Sequence, residues 1–172
     1  HRLEFELVAS GGTAALLEQD GLPVTRLEEL TGFAEMLGHR VVSLHPAVHG
    51  GILARRDVPG DIADLEQHGI APIDLVCVNL YPFEKVVGGL DVQDAEVIEM
   101  IDVGGPAMLR AAAKNYSFVT AVSSPKDYDA VLLELRALGG ETTLDTRWRL
   151  AGVAFATTAA YRPTIHSSGA RT

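Results

Sequence analysis

Residues 101–115 (IDVGGPAMLRAAAKN) bring a carboxylate, two adjacent glycines, a helix start and an amine into one short stretch. Gly104 and Gly105 admit backbone conformations barred to residues with a Cβ, and Pro106 suits the first helical position, where its missing N–H costs nothing. From Ala107 through Ala113 the residues are good helix formers, so a turn into a helix is predicted. Its first free N–H groups would lie beside Asp102, a suitable cradle for a phosphate or a developing oxyanion. The same pattern also serves as a plain tight connection between elements. Two further stretches give the chemical reading its weight.

At Ser10-Gly11-Gly12-Thr13 a strand breaks into a helix, offering two hydroxyls and bare N–H groups, the chemistry of a phosphate-binding turn. Thr13 fits a helix cap equally well. Residues 38–53 (GHRVVSLHPAVHGGIL) concentrate His39, Arg40, Ser43, His45, Pro46, His49 and paired glycines. A zinc site is ranked below a structural or pocket-lining role, because Pro46 restricts His45 and spoils a helical ligand pair with His49. Arg40 and Arg110 suit either an anion contact or a salt bridge.

The elements that would position these residues alternate between strand and helix. Strands are expected at 5–9, shortly after Val24, at 73–83 and at 118–122. Helices are expected at 14–18, 57–68, 94–100, from Pro106 onward, at 128–138 with Val131, Leu132 and Leu135 inward, and at 142–158. A short helix within a loop is expected over 27–36, and a turn at 88–93. The run IDLVCVNLYPF is continuously apolar and β-branched, which suits a parallel strand buried on both faces. Asn79 and Tyr81 should emerge at its carboxyl end, where ligands bind in open α/β sheets. The alternation predicts a three-layer α/β domain with a mostly parallel central sheet over residues 1–161, followed by a polar, frayed tail over 162–172. Trp148 and Phe155 share one helical face, as core or dimer interface.

With 172 residues, 47% hydrophobic and 22% charged, the chain suits one well-buried domain. A formal net charge of −9 argues against nucleic-acid or anionic-membrane partners, which need a long-range basic field, but leaves room for a small anion held by local N–H groups. Cys77, the single cysteine, reads as a small buried hydrophobe. No apolar run approaches a membrane span and nothing resembles a signal peptide, so a cytoplasmic setting is expected.

Five ordered blocks carry a resemblance: SGGTA at 10–14, RVVSLHPAVHGGIL at 40–53, VNLYPF at 78–83, IDVGGPAMLRAAAKN at 101–115 and LDTRWRLAGVAFATTAAY at 144–161. Together they resemble the IMP cyclohydrolase domain of the bifunctional AICAR transformylase/IMP cyclohydrolase family. The resemblance implies a methylglyoxal-synthase-like fold, a homodimer, and closure of a 5-formamidoimidazole-4-carboxamide ribonucleotide to IMP with loss of water, using no metal or organic cofactor. It places catalytic roles on Tyr81, Asp102 and Lys114, and phosphate binding on Ser10, Gly11, Gly12, Thr13 and Ser43. N–H groups near Gly104 and Gly105 would hold the oxyanion, with Arg40 and Asn79 as further substrate contacts.

Departures from the family pattern bear on activity. Where the family's RVKTLHP carries a lysine, this chain has Val42, which supplies neither charge nor proton. The Asp-Gly before the family arginine is replaced by Gly38-His39. The family's first strand and helix, with their phosphate loop, are expected to be missing. Two alternatives therefore stay open: a non-catalytic purine-nucleotide-binding module of the same fold, and methylglyoxal-synthase-type lyase chemistry on a triose phosphate.

Overall fold

The computed structural model describes residues 3–80, 98–99 and 101–167, the last six as helical backbone. In chain order the elements are β1 (Val8–Ala9), α1 (Gly11–Gln19), β2 (Thr25–Arg26), α2 (Leu27–Thr31), α3 (Pro46–Leu53), α4 (Pro59–His68) and β3 (Leu75–Cys77). After them come α5 (Gly104–Lys114), β4 (Thr120–Val122), a 3₁₀ turn (Pro125–Asp127), α6 (Tyr128–Ala137) and α7 (Leu144–Ser167). Both strand pairings are parallel: β1 with β2, in register Val8 to Thr25, and β3 with β4, in register Leu75 to Thr120. The fold is α/β, with helices on both faces of its parallel strands.

One layer of the core is built on α5. Leu109, Ala111, Ala112 and Ala113 are buried there with Val48 and Ile52 of α3, Val76, Val119, Ala121, and Ala151 and Ala154 of α7. The alanines let α5 and α7 approach closely, which a β-branched residue at those positions would prevent. On the other face of β3 and β4, Val122, Val131, Leu135 and Leu150 form a second cluster with Leu3, Phe5, Leu75 and Tyr128 packed against it. Asn115, at the end of α5, is buried and donates its Nδ2 to the carbonyls of Ile52 (2.8 Å) and Ala54 (3.0 Å), locking α5 to the end of α3. Leu109 is fully buried at the centre of the first layer. Leu109→Ala is expected to lower stability by about 3 kcal/mol, the lost transfer energy plus a partly unfilled cavity, read as a shifted urea midpoint.

Several expectations need correction. Among the described residues of the apolar run, 73–80, a strand forms only at Leu75–Cys77, with Val76 buried and Cys77 exposed. Cys77 lies on the side of β3 that borders an open cleft, so it is not a core residue. Leu132 is likewise 43% exposed rather than inward. The last helix does not stop at Thr158; α7 continues to Ser167, through part of the expected tail. Trp148 and Phe155 are both exposed, so neither is core. Trp148 meets the Tyr116 ring edge-on at 5.0 Å, and the Arg110 guanidinium lies 5.5 Å from the Phe155 ring centre. The turn at 88–93 and nearly all of the helix at 94–100 lie outside the described residues. No described helix is long and apolar enough to cross a membrane.

Candidate active site

The amino terminus of α5 is a tight knot. Asp102 Oδ1 accepts the Gly105 N–H at 2.8 Å, so this carboxylate caps the helix from just outside it. Its backbone N–H donates to Tyr161 Oη at 2.9 Å, which ties the far part of α7 to the same spot. A Cβ on Gly104 would stand 2.3 Å from Ser43 Oγ, and one on Gly105 would stand 2.3 Å from Asp102 Oδ2 and 3.0 Å from Val78 Cγ1. Only glycine lets the backbone come this close to two polar side chains. Ser43 is itself buried, held between the 38–45 loop and α5.

The turn Ser10–Thr13 opens onto the same cleft as Ser43, Asp102 and Gly105. Ser10 is the N-cap of α1 but makes no side-chain capping bond, and the first turn of α1 carries no acid. A helix start of this kind presents unfilled N–H groups, the arrangement that suits an anion. The imidazole of His39 packs over Gly11, with Nε2 3.2 Å from where a Cβ would sit, while its Nδ1 pairs with Glu35. His39 therefore borders the turn, a placement that sequence reading did not assign.

Other expected site residues are engaged elsewhere or stand apart. Arg40 is exposed and makes a two-pronged pair with Glu99, at 2.9 and 3.1 Å. Asn79 donates Nδ2 to Tyr128 Oη at 2.6 Å, on the face of β3 away from Gly105. Cys77 Sγ lies 3.4 Å from the same oxygen. Burial, with the neighbouring thiol, raises the Tyr128 pKa above its ordinary value despite the amide's opposing pull. Lys114 is exposed at the last position of the 11-residue α5, so at about 1.5 Å per residue it lies roughly 15 Å along the axis from the helix start. The structure does not bring it to Asp102. Tyr81 lies outside the described residues. Val42 packs against the core and lines the cleft.

Of the other histidines in the 38–53 stretch, His45 is a helix cap. His45 Nδ1 accepts the Ala47 N–H at 3.1 Å as the N-cap of α3, with Pro46 at its first position. The paired glycines sit inside α3, where Gly51 passes the Ala71 carbonyl so closely that a Cβ would be 2.6 Å from it. Among the described residues no group of three or more metal-ligating side chains occurs. His49 Nε2 is buried with no hydrogen-bond partner among the described residues, and burial lowers the His49 pKa. A depressed folded-state pKa means that the unfolded chain binds the proton first. The stabilisation is complete above roughly pH 6.5 and is lost as pH falls through the folded value. The thermal midpoint is expected to decline below about pH 6.5, and His49→Gln to flatten that decline, in melting curves recorded from pH 8 to 5.

The MGS-like domain family matches residues 1–107, and the AICARFT/IMPCHase bienzyme family matches residues 112–170. The chain belongs to the MGS-like domain family. The bifunctional purine biosynthesis protein PurH of Rippkaea orientalis is 56% identical over 94% of this chain, and that of Gloeothece citriformis 53% identical over 95%. This MGS-like chain spans about a third of those relatives' length, 31% and 32%. The crystal structure of ForH superposes with a TM-score of 0.84 at 40% identity, covering 97% of this chain and 87% of that one. Four of the five sequence blocks that carried the resemblance fall within the matched regions, and the block at 101–115 bridges the two, with the knot at Asp102 near the end of the first region.

Proposed function

We propose that this MGS-like domain closes 5-formamidoimidazole-4-carboxamide ribonucleotide to IMP with release of water. The observation that carries the reading is the placement of the Ser10–Thr13 turn and the Asp102–Gly105 knot on one cleft, a phosphate cradle and a carboxylate with adjacent N–H groups. The carboxamide nitrogen attacks the formyl carbon, forming the C–N bond of the new ring. The formyl oxygen gains negative charge, takes up one proton that originates on the attacking carboxamide nitrogen and one from the formamido nitrogen, and leaves as water as its C–O bond breaks and the ring C=N bond forms. Asp102 accepts the proton released by the nitrogen and returns it to the departing oxygen, while the Gly104 N–H, beside the Gly105 N–H that holds Asp102, stabilises the charged oxygen. Tyr81 orients the amide in this reading. Lys114, at the other end of α5, acts only on a part of the substrate or assembly that reaches that end. The relatives' name in purine biosynthesis supports the substrate class. A homodimer using the α7 face that exposes Trp148 and Phe155 belongs to the same proposal.

Val42 favours a second reading, a nucleotide-binding module without turnover. It fills the position of the family lysine with an apolar side chain that packs on the core. The two are separated by following absorbance as the formamido ribonucleotide converts to IMP, with the unmodified chain beside Val42→Lys. Turnover by the unmodified chain is expected. Activity only in Val42→Lys would mean that this chain has lost the step, and IMP binding without turnover in either would assign it to the binding module.

A further inference from the structure

One side chain that the reaction above does not use is aimed at the Ser10–Thr13 turn. Among the described residues a Cβ on Gly12 would meet nothing within 4 Å, and one on Gly11 would meet only the His39 ring, Nε2 at 3.2 Å and Cε1 at 3.3 Å. The first bond of the nine-residue α1 runs from Ala14 N to the Ser10 carbonyl at 3.2 Å, so the N–H groups of Gly11, Gly12 and Thr13 lie ahead of it. His39 reaches this place on the tip of a short hairpin, closed by Met36 and Val41 through main-chain bonds of 3.0 and 3.2 Å, with Leu37, Gly38 and His39 all at positive φ. The Glu35 carboxylate pairs with Nδ1, and because a carboxylate only accepts, it holds a proton on that nitrogen and leaves Nε2 toward the turn. The charges around the ring are few. Glu35 is the single acid between Gly32 and His45, Arg40 is turned to Glu99, and Val42 is apolar. On the α1 side the first turn carries no acid, and Glu18 near the far end pairs with Arg26. Asp102, on the same cleft, is held by the Gly105 N–H. His39 is thereby the group on this loop that can bring positive charge to the turn.

We propose that His39 is a phosphate-binding residue, whose protonated Nε2 donates to a terminal oxygen of the nucleotide's phosphate monoester seated at Ser10–Thr13. The inference rests on the reading of this cleft as the nucleotide site and adds to it a contact and a pH response. In the neutral ring Nε2 offers a lone pair, which repels a phosphate oxygen; in the cation it becomes a donor, and the bond to the phosphate is charge-assisted at both ends. Histidine changes charge between about pH 5 and 8, so the hold on the phosphate tightens as pH falls through that range. Glu35 keeps the ring oriented in both states, so protonation changes the charge facing the turn and not the place of the ring. The nucleoside part of the ligand gains nothing from this contact, which makes His39 a determinant of selection for the phosphorylated form.

The test is calorimetric titration of the whole chain with IMP and with inosine, which lacks the phosphate, at about pH 6.5 and about pH 8, in the unmodified protein, His39→Asn and His39→Lys. Asparagine tolerates a positive φ but is too short to reach the turn and carries no charge, whereas lysine keeps a charge that does not titrate in this range. The unmodified chain is expected to bind IMP about tenfold or more tightly than inosine, and to gain about fivefold in IMP affinity from the higher pH to the lower. His39→Asn is expected to lose about tenfold for IMP at the lower pH, to lose that gain, and to leave inosine unchanged. His39→Lys is expected to bind IMP tightly at both pH values. The second ionisation of the phosphate itself, near about pH 6, acts alike on all three proteins. Equal affinity of the unmodified chain for IMP and inosine would overturn the phosphate cradle and this inference with it. A preference for IMP that survives in His39→Asn with its pH response intact would overturn the role of His39 alone. Equal weakening of IMP and inosine in His39→Asn would reduce the residue to a support of the loop.

Discussion

Gly105→Ala is expected to cost at least about 3 kcal/mol of stability and to lower activity by two orders of magnitude or more in the protein that still folds. The new methyl carbon would lie 2.3 Å from Asp102 Oδ2 and 3.0 Å from Val78 Cγ1, far inside contact distance. Neither neighbour yields cheaply. Asp102 is held by the Gly105 N–H through its other oxygen, and Val78 is anchored by its own N–H to the Val122 carbonyl. Relief therefore requires the first turn of α5 to move, which displaces both the carboxylate and the N–H groups beside it. Urea unfolding and the absorbance assay read the two losses separately. A variant with unchanged midpoint and unchanged turnover would mean that the close approach is dispensable.

Asp102→Asn separates capping from chemistry at the same residue. An asparagine keeps an oxygen to accept the Gly105 N–H and leaves the backbone bond to Tyr161 intact, so stability should change by less than about 1 kcal/mol. The amide has no proton to exchange at neutral pH. If Asp102 shuttles the proton, turnover should fall about 10³-fold with the melting temperature almost unmoved. Full activity in Asp102→Asn would reduce the residue to a helix cap. Loss of both stability and activity would point to a structural role for the negative charge at the start of α5.

Much of this architecture was legible from residue order, and the reasons differ by element. The start of α5 was legible in kind but not in place: Gly-Gly-Pro followed by helix formers marks a helix start, yet Gly104 and Gly105 are already helical and Pro106 is its third residue, because the glycines serve close approach to Ser43 and Asp102 and not a turn. The SGGT turn was readable because a strand, a glycine pair and a helix signal occur in sequence. Other features depend on partners distant in the chain. That Gly104 meets Ser43, that Asn115 clamps α3, and that Tyr161 reaches Asp102 are contacts across about 60 residues, which no local pattern encodes. The apolar run at 73–83 looked like a strand buried on both faces, but burial depends on what stands beside it, and Cys77 borders an open cleft. The end of α7 was missed because its last turns carry little apolar periodicity, so only backbone geometry reveals the helix there. His39 drew notice for its type alone; its seat over Gly11 follows from a positive φ of 77° in the 36–41 loop, a conformation that side-chain chemistry does not announce.

Trp148 is the single tryptophan of the chain, and its indole is largely open to water while touching the Tyr116 ring. Its fluorescence in the folded protein should already be red-shifted and readily quenched by iodide. Unfolding would then shift the emission wavelength little. The optical signal that does change is energy transfer: Tyr116, 5.0 Å away, passes its excitation to the indole only while α7 stays docked on the end of α5. Exciting the tyrosines and watching the indole therefore reports the α5–α7 packing that carries the Asp102 knot, where direct excitation of the indole would register almost nothing.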